Sequence, residues 1–100
     1  MVKTYYINSY DDWDDFLQEH DLEISKLIVD SALDNLDSEK RYIHVIDVDV
    51  EEDDAVLEIT LDTHELVDTL ELNLKILEHY EEYEYCMRVK QTINKLESNG

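Results

Sequence analysis

The chain contains 100 residues, of which 27 are aspartate or glutamate and 8 are lysine or arginine, giving a formal charge of -19. Leucine, isoleucine, valine and phenylalanine together supply 30 residues, more than the ~20% below which a strongly charged chain stays disordered. With no proline and no internal glycine to form a linker, we expect one compact acidic domain over residues 1–100. The scarcity of lysine and arginine argues against direct binding to nucleic acid or to an anionic membrane.

No segment of the sequence is predicted to enter a membrane or a secretory pathway. The longest apolar runs have two or three residues, far short of the ~20 that span a bilayer. Residues 1–6 lack the apolar core of a signal peptide. Cys86 is the single cysteine and has no partner for an internal disulfide. We expect a cytoplasmic protein in which Cys86 is a small apolar residue on a helix.

Hydrophobic spacing predicts a strand followed by two helices in the first part of the chain. Residues 2–7 are rich in tyrosine and β-branched residues, which is typical of a strand. Ser9 followed by Asp12 forms a variant capping box that begins a short helix ending near residue 19. A second helix is expected over residues 22–37. The buried face of the first helix would consist of Trp13, Phe16 and Leu17.

A β-hairpin over residues 42–61 is the clearest prediction of local architecture. Residues 42–50 alternate between two faces, as a strand requires. Acidic residues 51–54 would form the turn, and residues 55–61 would return as the second strand. One face of the first strand would carry His44, Ile46, Val48 and Val50, and the other Val45, Asp47 and Asp49.

The last third of the chain is predicted to be helical with one interruption. Asp62 followed by Glu65 is a helix-start signal. Two apolar stripes follow, and they would face opposite sides of an ideal helix. Either the helix breaks within residues 80–84, which is the favoured interpretation, or one long helix is buried on two sides. The predicted fold class is α+β, with a small antiparallel sheet (the hairpin and the strand at 2–7) packed against three or four helices. The two stripes consist of Leu66, Leu70, Leu74 and Leu77, and of Cys86, Val89, Ile93 and Leu96.

No combination of residues in the sequence favours an enzyme. The four histidines lack the spacing of an HExxH zinc motif, and no Cys-x-x-Cys pair is present. No internal glycine is available for a phosphate-binding loop. We therefore expect no catalytic residue and no cofactor, with His44 half-buried in its strand.

One acidic stretch partly matches a calcium-binding loop. Counting from Asp47, Glu58 stands at the twelfth position, where the loop has a bidentate glutamate. Glu52 stands at the sixth position, where the loop requires a glycine. A solvated acidic hairpin is the favoured interpretation. The alternative is a domain that binds a divalent metal through Asp47, Asp49, Asp53 and Glu58.

The distribution of charge is more informative than any motif. Residues 11–84 contain 26 of the 27 acids and four basic residues, for a net charge of -22. Acids repeat at i, i+4 in the predicted helices, and each such pair costs about 0.2–0.5 kcal/mol. Asp47, Asp49 and Glu51 would form a row on one strand face at a pitch of about 6.7 Å. Selection for stability alone would not keep these rows; general solubility and adaptation to salt are the alternative explanations.

Acidic segments occur at residues 11–15 (DDWDD), 47–54 (DVDVEEDD) and 78–85 (EHYEEYEY), and aromatic residues are interleaved in the first and the last. In size and in this acidic and aromatic texture, the chain resembles the DNA-mimic inhibitors of phages and mobile elements, which include anti-CRISPR, anti-restriction and DNA-glycosylase inhibitor proteins. The resemblance implies that carboxylates occupy sites meant for phosphates, while tyrosine and tryptophan side chains anchor the interface.

The sequence thus predicts a stoichiometric inhibitor that blocks the basic DNA- or RNA-binding groove of a nuclease, with a CRISPR effector as the leading target. Such an inhibitor would act in the cytoplasm of a bacterial host cell. The expected partner-binding residues are Asp11, Asp12, Asp14, Asp15, Asp47, Asp49, Glu51, Glu52, Asp53, Asp54, Glu78, Glu81, Glu82, Tyr83 and Glu84.

Two further alternatives concern partners. An immunity protein or antitoxin that neutralises a basic nuclease toxin would need the same acidic surface. A homodimer would instead associate through the C-terminal helix, with Cys86, Val89, Ile93 and Leu96 as its seam.

Overall fold

The computed structural model describes residues 2–98, which form three strands and four helices around one hydrophobic core. The fold class is α+β, as the sequence predicts. Short 3₁₀ turns precede the first and third helices and connect the second strand to the third. In chain order the elements are β1 (Lys3–Ile7), α1 (Trp13–Glu19), α2 (Asp21–Asp34), β2 (Tyr42–Val50), β3 (Ala55–Asp62), α3 (Leu66–His79) and α4 (Tyr83–Ser98).

The three strands form one mixed sheet in the order β1-β2-β3. The pairing of β2 with β3 is antiparallel and confirms the predicted hairpin. The pairing of β1 with β2 is parallel, whereas the sequence predicted an antiparallel sheet throughout. The difference arises because α1 and α2 lie between these two strands. A helical connection returns the chain to the end of the sheet where β1 begins, so both strands run in the same direction.

A β-bulge in β2 changes the predicted orientation of His44. His44 pairs with Thr60 and Ile46 pairs with Ile59, so Val45 is an extra residue with no opposite partner. The extra residue shifts the alternation of side chains between the two faces. His44 is therefore exposed on the face opposite to Ile46, and the prediction that it shares the buried face is wrong.

The predicted helix starts are confirmed by their hydrogen bonds. The Ser9 N–H donates to the Asp12 carboxylate at 3.3 Å in a capping box that precedes α1. The Asp62 carboxylate accepts from the His64 N–H at 2.9 Å at the turn that leads into α3. These side chains satisfy backbone groups that a helix terminus leaves unpaired.

The core lies between one face of the sheet and the helices. Helix α2 contacts β2 and β3, α3 packs against α2, and α4 packs chiefly against α3. The predicted apolar stripe of the last helix is part of this core. Burial raises the pKa of the Cys86 thiol, which therefore stays protonated at neutral pH. Fully buried side chains include Val29, Ile46, Val48, Leu70, Leu77 and Val89.

The burial of α4 bears on the predicted dimer seam. Cys86, Val89 and Ile93 are buried within a single chain, and Leu96 is half-buried against the same core. These side chains stabilise the monomer and offer little surface to a second copy. The exposed side of α4 carries Tyr83 and Met87. A homodimer through this helix stays a prediction.

The predicted break between the last two helices is a Schellman motif built without glycine. Helix α3 ends at His79, and Glu81 adopts a left-handed conformation with φ of 59°. The Glu82 N–H donates to the Leu77 carbonyl at 3.0 Å, and the Glu81 N–H donates to the Glu78 carbonyl at 3.0 Å. This pair of bonds closes a helix C-terminus, and the left-handed position usually holds glycine.

We expect Glu81→Gly to raise the free energy of unfolding by about 1 kcal/mol, because glycine adopts the left-handed conformation without steric strain. Glu71→Gly is the matched control, since it removes the same charge from an exposed position inside α3. Glycine there should lower the free energy of unfolding by about 1 kcal/mol. Urea unfolding measures both values. A Glu81→Gly variant less stable than the wild type would show that Glu81 is not strained in the left-handed conformation.

Candidate functional site: an acidic end of the sheet

The predicted contact residues fall into three regions of the structure. The first region, named the acidic rim, lies at the end of the sheet where β1 and β2 finish. The second is the face of the sheet that points away from the helices, named the open face. The third is the turn between α3 and α4 together with the adjoining helix ends, which holds Glu78 in α3, Glu81 and Glu82 in the turn, and Tyr83 and Glu84 in α4. The acidic rim consists of Asp11, Asp12, Asp14, Asp15, Glu51, Glu52, Asp53 and Asp54.

Backbone pairing brings the two halves of the acidic rim to one end of the sheet. The last residues of β1 and β2, Ile7 and Val50, are register partners, so both chains leave the sheet side by side. The Glu52 N–H then donates to the Asn8 carbonyl at 2.8 Å, which ties the hairpin turn to the segment that enters α1. Two acidic segments separated by more than 30 positions in the sequence thus form one surface.

The carboxylates of the acidic rim stand on ordered backbone. Residues 51–53 form a 3₁₀ turn that ends at Asp54, which has a φ of 49°. Asp12 is held by the capping box before α1. Asp12 is partly exposed, while the other seven members of the rim are exposed. The backbone that carries these carboxylates is therefore ordered before any partner binds.

Three of the eight basic residues of the chain form ion pairs within residues 2–98, and all three pairs lie outside the acidic rim. Lys3 pairs with Glu23, Lys26 pairs with Glu82 at 2.6 Å, and Arg41 pairs with Asp62 at 3.4 Å. Within residues 2–98, no lysine or arginine forms an ion pair with a member of the acidic rim. Ion pairs with lysine or arginine within the described residues therefore do not offset the formal charge of the rim.

A cleft of about 310 Å³ lies between the end of β1 and α1, beside the acidic rim. Carboxylates supply one part of its lining and aromatic rings another. The Phe16 and His20 rings contact each other in a tilted arrangement, with an interplanar angle of 40° and centroids 5.0 Å apart. Sequence analysis did not single out Glu19, His20 or Tyr6 as contact residues. The cleft is lined by Tyr6, Ile7, Asn8, Asp12, Asp15, Phe16, Glu19 and His20.

The row of carboxylates on the open face is one residue shorter than predicted. Asp47 lies between Thr4 and Glu58, and Asp49 lies between Tyr6 and Val56, in two successive cross-strand rows. Strand β2 ends at Val50, so Glu51 belongs to the turn and the predicted row of three carboxylates is a row of two. Tyr6 and Val56 are the exposed apolar members of this face, at 65% and 57% exposure.

The turn between α3 and α4 is tied to α2 rather than to the hairpin. Glu82 forms the salt bridge with Lys26, and the Tyr80 hydroxyl donates to the Asp21 carboxylate at 2.7 Å. The Glu82 carboxylate is thus paired with a cation of the same chain. Tyr83 is 70% exposed and keeps its ring available to a partner.

The four residues of the predicted metal site are not brought together as a set. Asp47 and Glu58 are directly opposite each other, but Asp49 is opposite Val56 and Asp53 lies in the turn. The structure instead groups Asp47 and Glu58 with His44, and their ligand atoms lie within 4.8 Å of one another. The metal site predicted from the sequence did not include His44, because regular alternation placed this residue on the buried face of the strand.

An ion-pair network links β1 to the start of α2. The Lys3 ammonium contacts the Glu23 carboxylate, and the His20 Nδ1 lies 3.5 Å from the same group. The hydrogen bond with Lys3 lowers the pKa of Glu23 to about 2. Glu23 therefore contributes to structure, not to the free negative surface.

Comparison with known proteins finds no matching family model, no matching curated protein and no matching solved structure. Within residues 2–98, no helix combines the length and the apolar composition needed to cross a membrane.

We expect Glu23→Gln to lower the free energy of unfolding at pH 7 by about 0.2–1 kcal/mol, the range of exposed ion pairs. The folded-state pKa of Glu23 is below the ordinary 4.5, so its stabilisation is fully present above pH 4.5 and is lost as the pH falls toward about 2. The difference between the wild type and the variant should shrink across that range in urea unfolding.

Glu19→Gln is the control for this prediction, because Glu19 is exposed and its substitution removes one negative charge from the same region. This variant should show no loss of stability at pH 7. A Glu23→Gln difference that persists unchanged to pH 2 would mean that the ion pair with Lys3 is not its source.

Proposed function

We propose that the protein is a stoichiometric inhibitor that presents carboxylates to the basic groove in which a nuclease binds nucleic acid. The acidic rim is the observation that supports this proposal. Eight carboxylates from two ordered segments share one end of the sheet, with no lysine or arginine of residues 2–98 paired to them. An array of this kind offers to a basic groove what the phosphates of a nucleic acid offer.

Electrostatic attraction would contribute both to the affinity for the target and to the rate of association. A groove lined with lysine and arginine attracts an anionic surface before contact, which accelerates association at low ionic strength. Mutual repulsion among the rim carboxylates destabilises the free protein, and cations of the partner would relieve it. Because the turn and the helix start are already ordered, binding would cost little conformational entropy.

The cleft beside α1 is suited to a cationic side chain of the partner. Asp15 and Glu19 supply negative charge, and the exposed Tyr6 supplies aromatic surface. Arginine combines a charge that pairs with carboxylates with a flat group that stacks on aromatic rings. We infer that one arginine of the target enters this cleft, while the rim contacts the surrounding groove.

The resemblance to DNA-mimic inhibitors makes a CRISPR effector nuclease the first target to test. An immunity protein or antitoxin against a toxin nuclease would use the same surface, because its target would also have a basic active-site groove. The identity of the captured nuclease distinguishes these two roles.

We expect the wild-type chain, used as bait in a bacterial lysate, to capture a basic nucleic-acid-binding protein that added DNA or moderate salt releases. The variant Glu51→Gln, Glu52→Gln, Asp53→Asn, Asp54→Asn should lose this capture and should be more stable to urea, because it removes rim repulsion. Mass spectrometry identifies the captured protein, and a cleavage assay with that nuclease measures inhibition.

A second variant distinguishes the effect of the acidic rim from the effect of net charge. Asp34→Asn, Asp37→Asn, Glu39→Gln, Glu71→Gln removes the same four charges from exposed positions outside the acidic rim. This bait should capture the nuclease as the wild type does. Equal capture by both variants, or capture of acidic metabolic proteins alone, would refute the proposal.

The cleft makes a finer prediction at adjacent residues. Asp15 lines the cleft and Asp14 does not, although both are exposed on α1. We expect Asp15→Asn to weaken inhibition of the captured nuclease by about tenfold, in the range for one partner of a charged contact. Asp14→Asn, with the same change in charge, should weaken inhibition by less than threefold, as expected for a charge at the solvent-exposed edge of an interface. Equal effects would place the arginine elsewhere.

A further inference from the structure

Three metal-ligating side chains meet on the open face of the sheet. The His44 Nε2 lies 2.5 Å from the Asp47 Oδ1, and the Glu58 carboxylate is directly across from Asp47 on the neighbouring strand. The ligand atoms of all three lie within 4.8 Å of one another. His44 and Glu58 are exposed and Asp47 is half-buried, so the cluster is open to solvent.

The β-bulge is the structural feature that assembles this cluster. In a regular strand His44 and Asp47, three positions apart, would point to opposite faces. The extra residue Val45 places them on the same face, with His44 beside Thr60 and Asp47 beside Glu58. Bulges often re-aim a side chain next to a functional site.

The charge around the cluster favours a cation. Asp49 lies on the same face of β2, one row beyond Asp47. No lysine or arginine within residues 2–98 forms an ion pair with Asp47, Asp49 or Glu58. Two carboxylates of the cluster thus bring a formal charge of -2 next to one imidazole.

The ligand set selects among cations. Calcium and magnesium take oxygen ligands, and calcium needs six to eight of them. One imidazole nitrogen with two carboxylate oxygens suits zinc, which is commonly held by three protein ligands with a water in the fourth position. Ligand atoms around tetrahedral zinc lie about 3.3 Å apart, so the cluster needs only to widen the contact of His44 with Asp47 and to draw in the flexible Glu58 side chain.

We propose that the open face binds one Zn²⁺ through His44 Nε2, one oxygen of Asp47 and one oxygen of Glu58, with water at the remaining position. The imidazole proton would lie on Nδ1, since Nε2 must offer its lone pair to the metal. This site is separate from the acidic rim and does not depend on the proposed inhibitor function.

Zinc at this position would connect β2 to β3 through side chains. His44 and Asp47 belong to β2, and Glu58 belongs to β3. The ion would also reduce the negative charge of the open face. Because the metal binds the folded arrangement, its presence should raise the unfolding temperature of the protein.

The test is calorimetric titration of the full chain with Zn²⁺, followed by Co²⁺ substitution and imidazole NMR. We expect one saturable equivalent, a tetrahedral Co²⁺ spectrum and a shift of the His44 ring signals. His44→Ala and Glu58→Gln should each weaken the affinity by at least about tenfold. Both changes are at exposed positions, so the variants should fold, as metal-free thermal unfolding would confirm.

Matched variants distinguish a site from diffuse attraction to an acidic protein. His79→Ala removes an exposed histidine on α3, and Asp49→Asn removes a neighbouring carboxylate of the same face. Both should retain zinc affinity within about threefold. The proposal is overturned if zinc binds without saturation, if Asp49→Asn weakens it as much as Glu58→Gln, or if His44→Ala leaves affinity unchanged.

Discussion

The pairing of β2 with β3 is the interaction on which the rest of the structure depends. Its side chains alternate between a face that builds the core and a face that carries carboxylates. Ile46, Val48 and Val50 are fully buried, while Asp47 and Asp49 between them point away from the helices. A shift of register by one residue would place two carboxylates in the core, so burial and charge specify the same register.

Three cations of the chain lie where separate elements meet. Lys3 joins β1 to α2, Lys26 joins α2 to the turn after α3, and Arg41 joins the approach to β2 to the end of β3. Each cation connects segments that are distant in sequence. Such exposed pairs stabilise weakly one by one, but they lower repulsion where elements meet. Acids elsewhere within residues 2–98 mostly lack such partners as well, since only Glu23, Asp62 and Glu82 pair with lysine or arginine. The acidic rim is therefore distinguished by the density of its carboxylates at one end of the sheet.

Local features of the fold could be predicted from the sequence, and features that depend on distant partners could not. The capping aspartates follow from a few neighbouring residues, and the hairpin and the break before α4 follow from the spacing of apolar residues along continuous segments. The parallel pairing of β1 depends on where two helices return the chain, which no local pattern encodes. The acidic rim itself combines two predicted segments, but their union rests on the hydrogen bond from Glu52 to Asn8, which only the folded chain reveals.

The bulge at Val45 shows how a single inserted residue changes the chemistry of a surface. Strict alternation would place the His44 imidazole in the core and leave an open face of carboxylates alone, a surface suited only to oxygen-preferring cations or to a basic partner. The bulge adds a nitrogen ligand to that face and leaves the acidic rim, at the end of the same hairpin, unchanged. The same two strands therefore support two separable electrostatic surfaces. A cation bound at His44 would ease repulsion across the sheet without occupying the carboxylates proposed to meet a basic groove.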